Sequence, residues 1–180
     1  MNRVVLLIIS ALICGMATVS CDNQSAIDNY GDWTNKTQAL REHNQKKISV
    51  VEGIWGTLVQ REGNCMPGGV DETRPNPCRL FPVKREIWIY EYTVWNEAVS
   101  SSHSPVFFEN VHTKLIAKVK SDNEGFFEVK LKPGKYSVFV KEKGLLYANF
   151  GDGQGGIAPV SVELSKVLEI DWLQINYAYD

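Results

Sequence analysis

Apolar and polar residues alternate with a period of two through much of this chain, most regularly between Leu115 and Val140. Leu115, Ala117 and Val119, then Phe127, Val129 and Leu131, then Tyr136, Val138 and Val140 share one side. Lys118, Lys120, Glu128, Lys130 and Lys141 take the other. Successive side chains of a strand point to opposite faces, so this rhythm predicts three strands, each buried on one face. Two corners separate them. In Ser121-Asp122-Asn123-Glu124-Gly125, Asp and Asn side chains bond to nearby backbone and Gly accepts positive φ. In Lys132-Pro133-Gly134-Lys135, Pro and Gly stand where a type II turn wants them. The expectation is an antiparallel three-strand meander.

The same criteria predict further strands. Residues 54–60 and 85–94 are rich in β-branched and aromatic side chains, which suit a half-buried pleated surface. A strand is expected to lead into the meander from about His112, and residues 145–150 and 160–164 form short apolar runs. In 167–179 the apolar phase passes from Leu168-Ile170-Trp172 to Leu173-Ile175-Tyr177, which predicts a bulge. Residues 96–110 read as a polar loop ending in Val106-Phe107-Phe108. Residues 61–84 read as a long loop with four prolines and three glycines; structureless loops of that length are usually functional or pinned.

Asp122-x-x-Gly125-x-Phe127-x-Val129-x-Leu131-x-Pro133-Gly134-x-Tyr136-x-Val138-x-Val140 resembles the core signature of carboxypeptidase regulatory-like domains, relatives of the transthyretin-like and collagen-adhesin B-type (CnaB) sandwiches. The resemblance implies an all-β fold, a single Greek-key β-sandwich of seven or eight strands, used as an accessory or adhesive module and not as a catalyst. Such sandwiches host many roles, so the likeness bears on fold more than on function.

The N-terminal region adds a cellular context. Arg3, an apolar run from Val4 to Ile13 and small residues up to Ser20 have the layout of an export signal, shorter than the roughly 20 residues of a membrane-spanning helix. Thr18-Val19-Ser20-Cys21 resembles a bacterial lipobox, with Thr18 where Leu is usual; it implies an acyl (palmitate-type) anchor on Cys21. Cleavage after Ala17 is the competing reading. Cysteine arithmetic favours acylation, because Cys21 would otherwise leave an odd thiol beside Cys65 and Cys78 in an oxidising compartment. The expected division is a lipoprotein signal over 1–20, a polar tether with a possible short helix over 21–52, and the sandwich over 53–180. The expected location is the bacterial cell envelope, lipid-anchored to a membrane and facing the periplasm or the surface.

Cys65 and Cys78 are expected to form a disulfide, closing a loop of ~14 residues and stabilising the fold by about 3 kcal/mol. A soft-metal alternative, copper held by Cys65, Met66 and Cys78, lacks a nearby His or second Met. No other metal site and no cofactor is expected: His43, His103 and His112 have no ligand-like spacing, and Asp122 with Asp152 falls short of a calcium site. Gly151 to Gly156 lacks the Lys-Ser/Thr of a phosphate loop and reads as a mobile connection. A net charge of −2 gives no basic bias toward nucleic acid.

No nucleophile–base or paired-carboxylate motif stands out, so the expected function is non-catalytic: structural support or protein interaction. Ile116, Phe126 and Phe139, apolar among the lysines of the meander's second face, are the candidate contact patch. The alternative is a glycan-binding module, with Trp88, Tyr90 and Tyr92 as a row for stacking on sugar rings. Ile87 and Ile89 make the opposite side of that strand equally apolar, so alternation leaves open which side is outward, or whether both are covered.

Overall fold

The structure is a computed structural model, and residues 30–63, 79–171 and 173–176 are described. Cys21, Cys65, Met66, Cys78, Trp172 and Tyr177 lie outside the described residues, as does the side chain of Trp33. The described chain is mostly β, one α-helix and thirteen strands in sheets that pack on one another.

One wall is built on two parallel chain paths. β1 (Gly53–Thr57) and β2 (Val59–Glu62) are halves of one path interrupted at Leu58. β12 (Val167–Ile170) and β13 (Gln174–Ile175) follow them in parallel, with Ile54 opposite Leu168 and Val59 opposite Gln174. β8 (Phe126–Lys130) flanks β1 and β3 (Arg79–Pro82) flanks β2, both antiparallel. Leu58 makes the corner: its N–H donates to the Gly125 carbonyl at 2.8 Å, and its own carbonyl accepts from Val83 N–H at 3.2 Å. The phase change in 167–179 falls where the chain passes from β12 beside β1 to β13 beside β2, with Trp172 and 177–179 outside the described residues.

The other wall is a seven-stranded sheet. Its order is β5 (Ala98–Ser101), β6 (Ser104–Val111), β10 (Leu145–Tyr147), β9 (Gly134–Glu142), β4 (Glu86–Glu91) and β7 (Leu115–Lys120), with β11 (Pro159–Val162) on the first half of β9. Ile54, Leu58, Phe127 and Ile170 from the first wall meet Ile87, Ile89, Val138 and Val140 from the second in a core with essentially no solvent exposure. Burying each such side chain is worth about 1.5–3 kcal/mol, which is why the alternation survives into the structure.

The expected meander does not form. β7 and β9 flank β4, whereas β8 lies in the opposite wall beside β1. Period-two patterning says which side of a strand is buried but not which strand lies next to it, and both walls face the same core. Asp122–Gly125 is thus a corner between sheets. The Asp122 carboxylate accepts from Glu124 and Phe126 N–H, and Gly125 takes φ 72°. The second corner is a bend and not a type II turn: Gly134 sits at φ 158° at the start of β9, and the Tyr136 hydroxyl donates to Lys132 O at 2.9 Å. Residues 96–110, read as a loop, hold a short 3-10 turn (Trp95–Glu97) and the β5–β6 hairpin.

The described part of the segment read as a tether holds a helix. α1 (Tyr30–Gln45) lies against β1 and β3. Few of its residues are apolar, and its fastenings are polar: Arg41 to Glu169 at 2.7 Å, Asn44 Nδ2 to Thr57 Oγ1 at 2.9 Å and to Glu124 O at 3.0 Å. Just beyond the helix, Lys47 bonds to Asp122 at 2.8 Å and to Glu124, and Glu128 accepts from Ser49 and Val50 N–H.

Candidate functional site

β4 presents Ile87 and Ile89 to the main core and turns Trp88 and Tyr90 to the outer side of the large sheet, so both faces of this strand are covered. On that outer side a second, smaller core gathers Tyr90, Phe139, Phe108, Leu146, Ile157 and Ala158. Five rings follow one another across four elements. Trp88 lies 6.4 Å from Tyr90, Tyr90 5.6 Å from Phe139, Phe139 5.6 Å from Phe108, and Phe108 5.5 Å from Trp95. The two middle contacts are edge-to-face, the arrangement ring quadrupoles favour.

The ends of this row differ. Trp88 is half-buried, with Lys118 Nζ 3.5 Å and Lys141 Nζ 5.1 Å from its ring centre, and its indole N–H donates to Glu86. Tyr90 is 6% exposed, and burial pushes its phenol up. The expected row of Trp88, Tyr90 and Tyr92 is therefore not an open platform. Trp95 is 46% exposed although its ring rests on the fully buried Phe108. Sequence reading passed over Trp95 because it sits in a polar stretch; a Trp at the edge of a turn, with no alternation around it, was the one available signal.

Trp95 is also fixed through its backbone by the glycine-rich segment. Its N–H donates to Gly155 O at 3.0 Å, and Ile157 N–H donates to Thr93 O at 2.9 Å. Asp152 organises that segment by accepting from Gln154 and Gly156 N–H and from the Tyr92 hydroxyl at 2.8 Å. The Tyr92 hydroxyl, with those N–H groups, holds the Asp152 carboxyl below its ordinary value. Residues 151–156 thus form a hydrogen-bonded loop and not a loose connection, and Gly156 is packed so closely that a Cβ there would meet Tyr92 Oη at 2.5 Å.

The expected contact patch is not assembled. Phe139 is buried in the second core, Phe126 lies in the opposite wall under Lys47 Nζ at 5.3 Å, and Ile116 is exposed on β7. Asp122 is paired with Lys47, and Asp152 accepts from the Tyr92 hydroxyl. Among the described residues no three His, Cys, Asp or Glu side chains come close enough to hold a metal. His43 lies 3.3 Å from Glu124, and His103 Nδ1 is 3.0 Å from Ser102 Oγ.

A concave groove of about 540 Å³ runs beneath α1, between Arg41 and Glu42 on the helix and Glu169, Asp171 and Gln174 on the sheet. Its polar groups serve the docking of the helix: Arg41 spans Glu169 at 2.7 Å and Asp171 at 3.8 Å. No helix of the described chain is long and apolar enough to cross a membrane. Compared with family models, curated proteins and solved structures, the chain shows no match.

Proposed function

We propose that this chain is a non-catalytic, lipid-anchored β-sandwich module of the bacterial cell envelope, held at a membrane through Cys21 and acting by contact with a protein partner. Within this reading the sandwich is a Greek key of the carboxypeptidase regulatory-like, transthyretin or CnaB kind. The Asp122–Gly125 corner and the inward Phe127, Val129 and Leu131 support that kinship.

The observation that carries the contact role is Trp95, half exposed yet held by a tilted ring contact with Phe108 and by its backbone bond to Gly155. A large ring already fixed before binding loses little conformational freedom on association, and such residues dominate protein interfaces. The polar side chains point the same way, since Arg41, Lys47, Arg85, Asp122 and Glu128 are engaged in fastening structure.

The test places a photo-crosslinking side chain at Trp95 in the full chain in its native envelope. A discrete protein adduct from position 95, absent when Lys130 is replaced instead, supports the reading. Cys21→Ser is expected to move the chain from the membrane to the soluble fraction in a high-salt wash that strips charge-held contacts, and a variant still membrane-bound after that wash refutes acylation. The second reading, glycan binding, rests on the same exposed Trp: retention on a polysaccharide that Trp95→Ala abolishes, without a protein adduct, would favour it.

A further inference from the structure

The outward side of β7 combines positive charge with apolar surface. Lys118 and Lys120 are exposed on the strand, and Lys114 immediately precedes it. Ile116, between Lys114 and Lys118 on the same side of the strand, is an exposed large aliphatic residue. Across the ladder Trp88 stands opposite Lys118 on one side and Phe139 on the other, and Glu86 stands opposite both Lys120 and Lys141. Glu86, the carboxylate of this row, is occupied by the Trp88 indole N–H at 3.1 Å.

Among the described residues Lys114, Lys118 and Lys120 are in no ion pair, as other exposed lysines such as Lys130 and Lys132 are not; what sets the three apart is their alternation on one side of β7 around Ile116. Lysines alone on an edge strand serve to prevent edge-to-edge pairing. That role does not call for an exposed aliphatic side chain among them, nor for an indole held between ammonium groups. Lysine, tryptophan and aliphatic surface together form the composition that settles at a bilayer–water boundary.

From this charge complementarity we infer that the β7 side of the large sheet docks on an anionic phospholipid surface, with Lys114, Lys118 and Lys120 meeting headgroup phosphates and Ile116 entering the boundary. The inference rests on the envelope reading only for a bilayer being within reach, and its test supplies the bilayer directly, independently of Cys21. The full chain is reconstituted into vesicles of neutral phosphatidylcholine or of phosphatidylcholine with phosphatidylglycerol, and lysines are labelled with a water-soluble amine reagent read by mass spectrometry.

Labelling of Lys114, Lys118 and Lys120 is expected to slow at least about fivefold on the anionic vesicles, while Lys130 and Lys132 keep their rate. About 0.5 M salt should restore the fast rate. In Lys118→Glu/Lys120→Glu the protection of Lys114 should disappear. Equal rates on both vesicles, or uniform slowing of all lysines, would overturn the proposal. Equal protection by soluble polyglutamate would also overturn it, in favour of an acidic protein partner.

Discussion

At the residue scale the corner at Gly125 carries the most testable constraint. Its φ of 72° suits glycine, and a Cβ added there would stand 2.3 Å from Leu58 O, the carbonyl at the bend between β1 and β2. Positive φ at a β-branched residue costs on the order of 1–3 kcal/mol before the clash is counted. Gly125→Val should lower the unfolding free energy by about 3 kcal/mol or more in urea denaturation; an unchanged midpoint would show that the corner relaxes freely. Gly134, at φ 158°, is also in a range L side chains rarely adopt, but a Cβ there would meet only Tyr136 at 3.4 Å, so the clash belongs to the first corner and not to the second. Asp122 and Gly125 were legible in the sequence because turn chemistry is local. Leu58 was not, because its two backbone partners, Gly125 and Val83, come from distant parts of the chain.

At the element scale, α1 depends on charge where most helices depend on an apolar stripe. Partial burial raises the Asp122 carboxyl, but Lys47 and the N–H groups of Phe126 and Glu124 outweigh it and leave it below its ordinary 3.8. Glu128 follows the same course: burial raises it, the bonds from Ser49 and Val50 lower it, and it ends below 4.5. Carboxyls lowered in the folded state contribute stability above their ordinary values and lose it as pH falls through the lowered ones. Lys47 is shifted above 10.5, its carboxylate partners outweighing burial, so its contribution is present below that value and lost as pH rises through the raised one. The helix and the strap after it should therefore loosen below roughly pH 4 while the sheets hold. Hydrogen exchange corrected for intrinsic rates should show residues 36–50 losing protection first, and Lys47→Ala should weaken that protection already at neutral pH. Protection unchanged down to pH 3 would count against it. A helix with so few apolar positions was read as tether because hydrophobic periodicity is blind to docking through polar contacts such as the Arg41–Glu169 ion pair and the Asn44–Thr57 hydrogen bond.

At the scale of the whole molecule, two packed walls follow from the alternation of Phe127–Leu131 and Val138–Val140, but their pairing does not. The same pattern fits strands side by side and strands across a core from each other. The aromatic row was hidden for a related reason: Trp88, Tyr90, Phe139, Phe108 and Trp95 come from four elements and share no local spacing. The expected bridge between Cys65 and Cys78 lies outside the described residues, in the connection from β2 to β3. Intact mass should rise by two hydrogens on reduction, and reduction should lower stability by about 3 kcal/mol; an unchanged mass would remove the bridge.

The polar fastening of α1 has a mechanical side. Tension arriving through the residues before Tyr30 reaches the helix before it reaches any strand, and the clamp that resists it, Arg41 to Lys47, sits toward the helix's far end. Peeling and straightening the 16 residues of α1 would lengthen the lead to the sandwich by roughly 30 Å, at about 1.5 Å per residue coiled against 3.4 Å extended. Under such a load the helix would serve as slack in the line, taken up while the sheets stay shut.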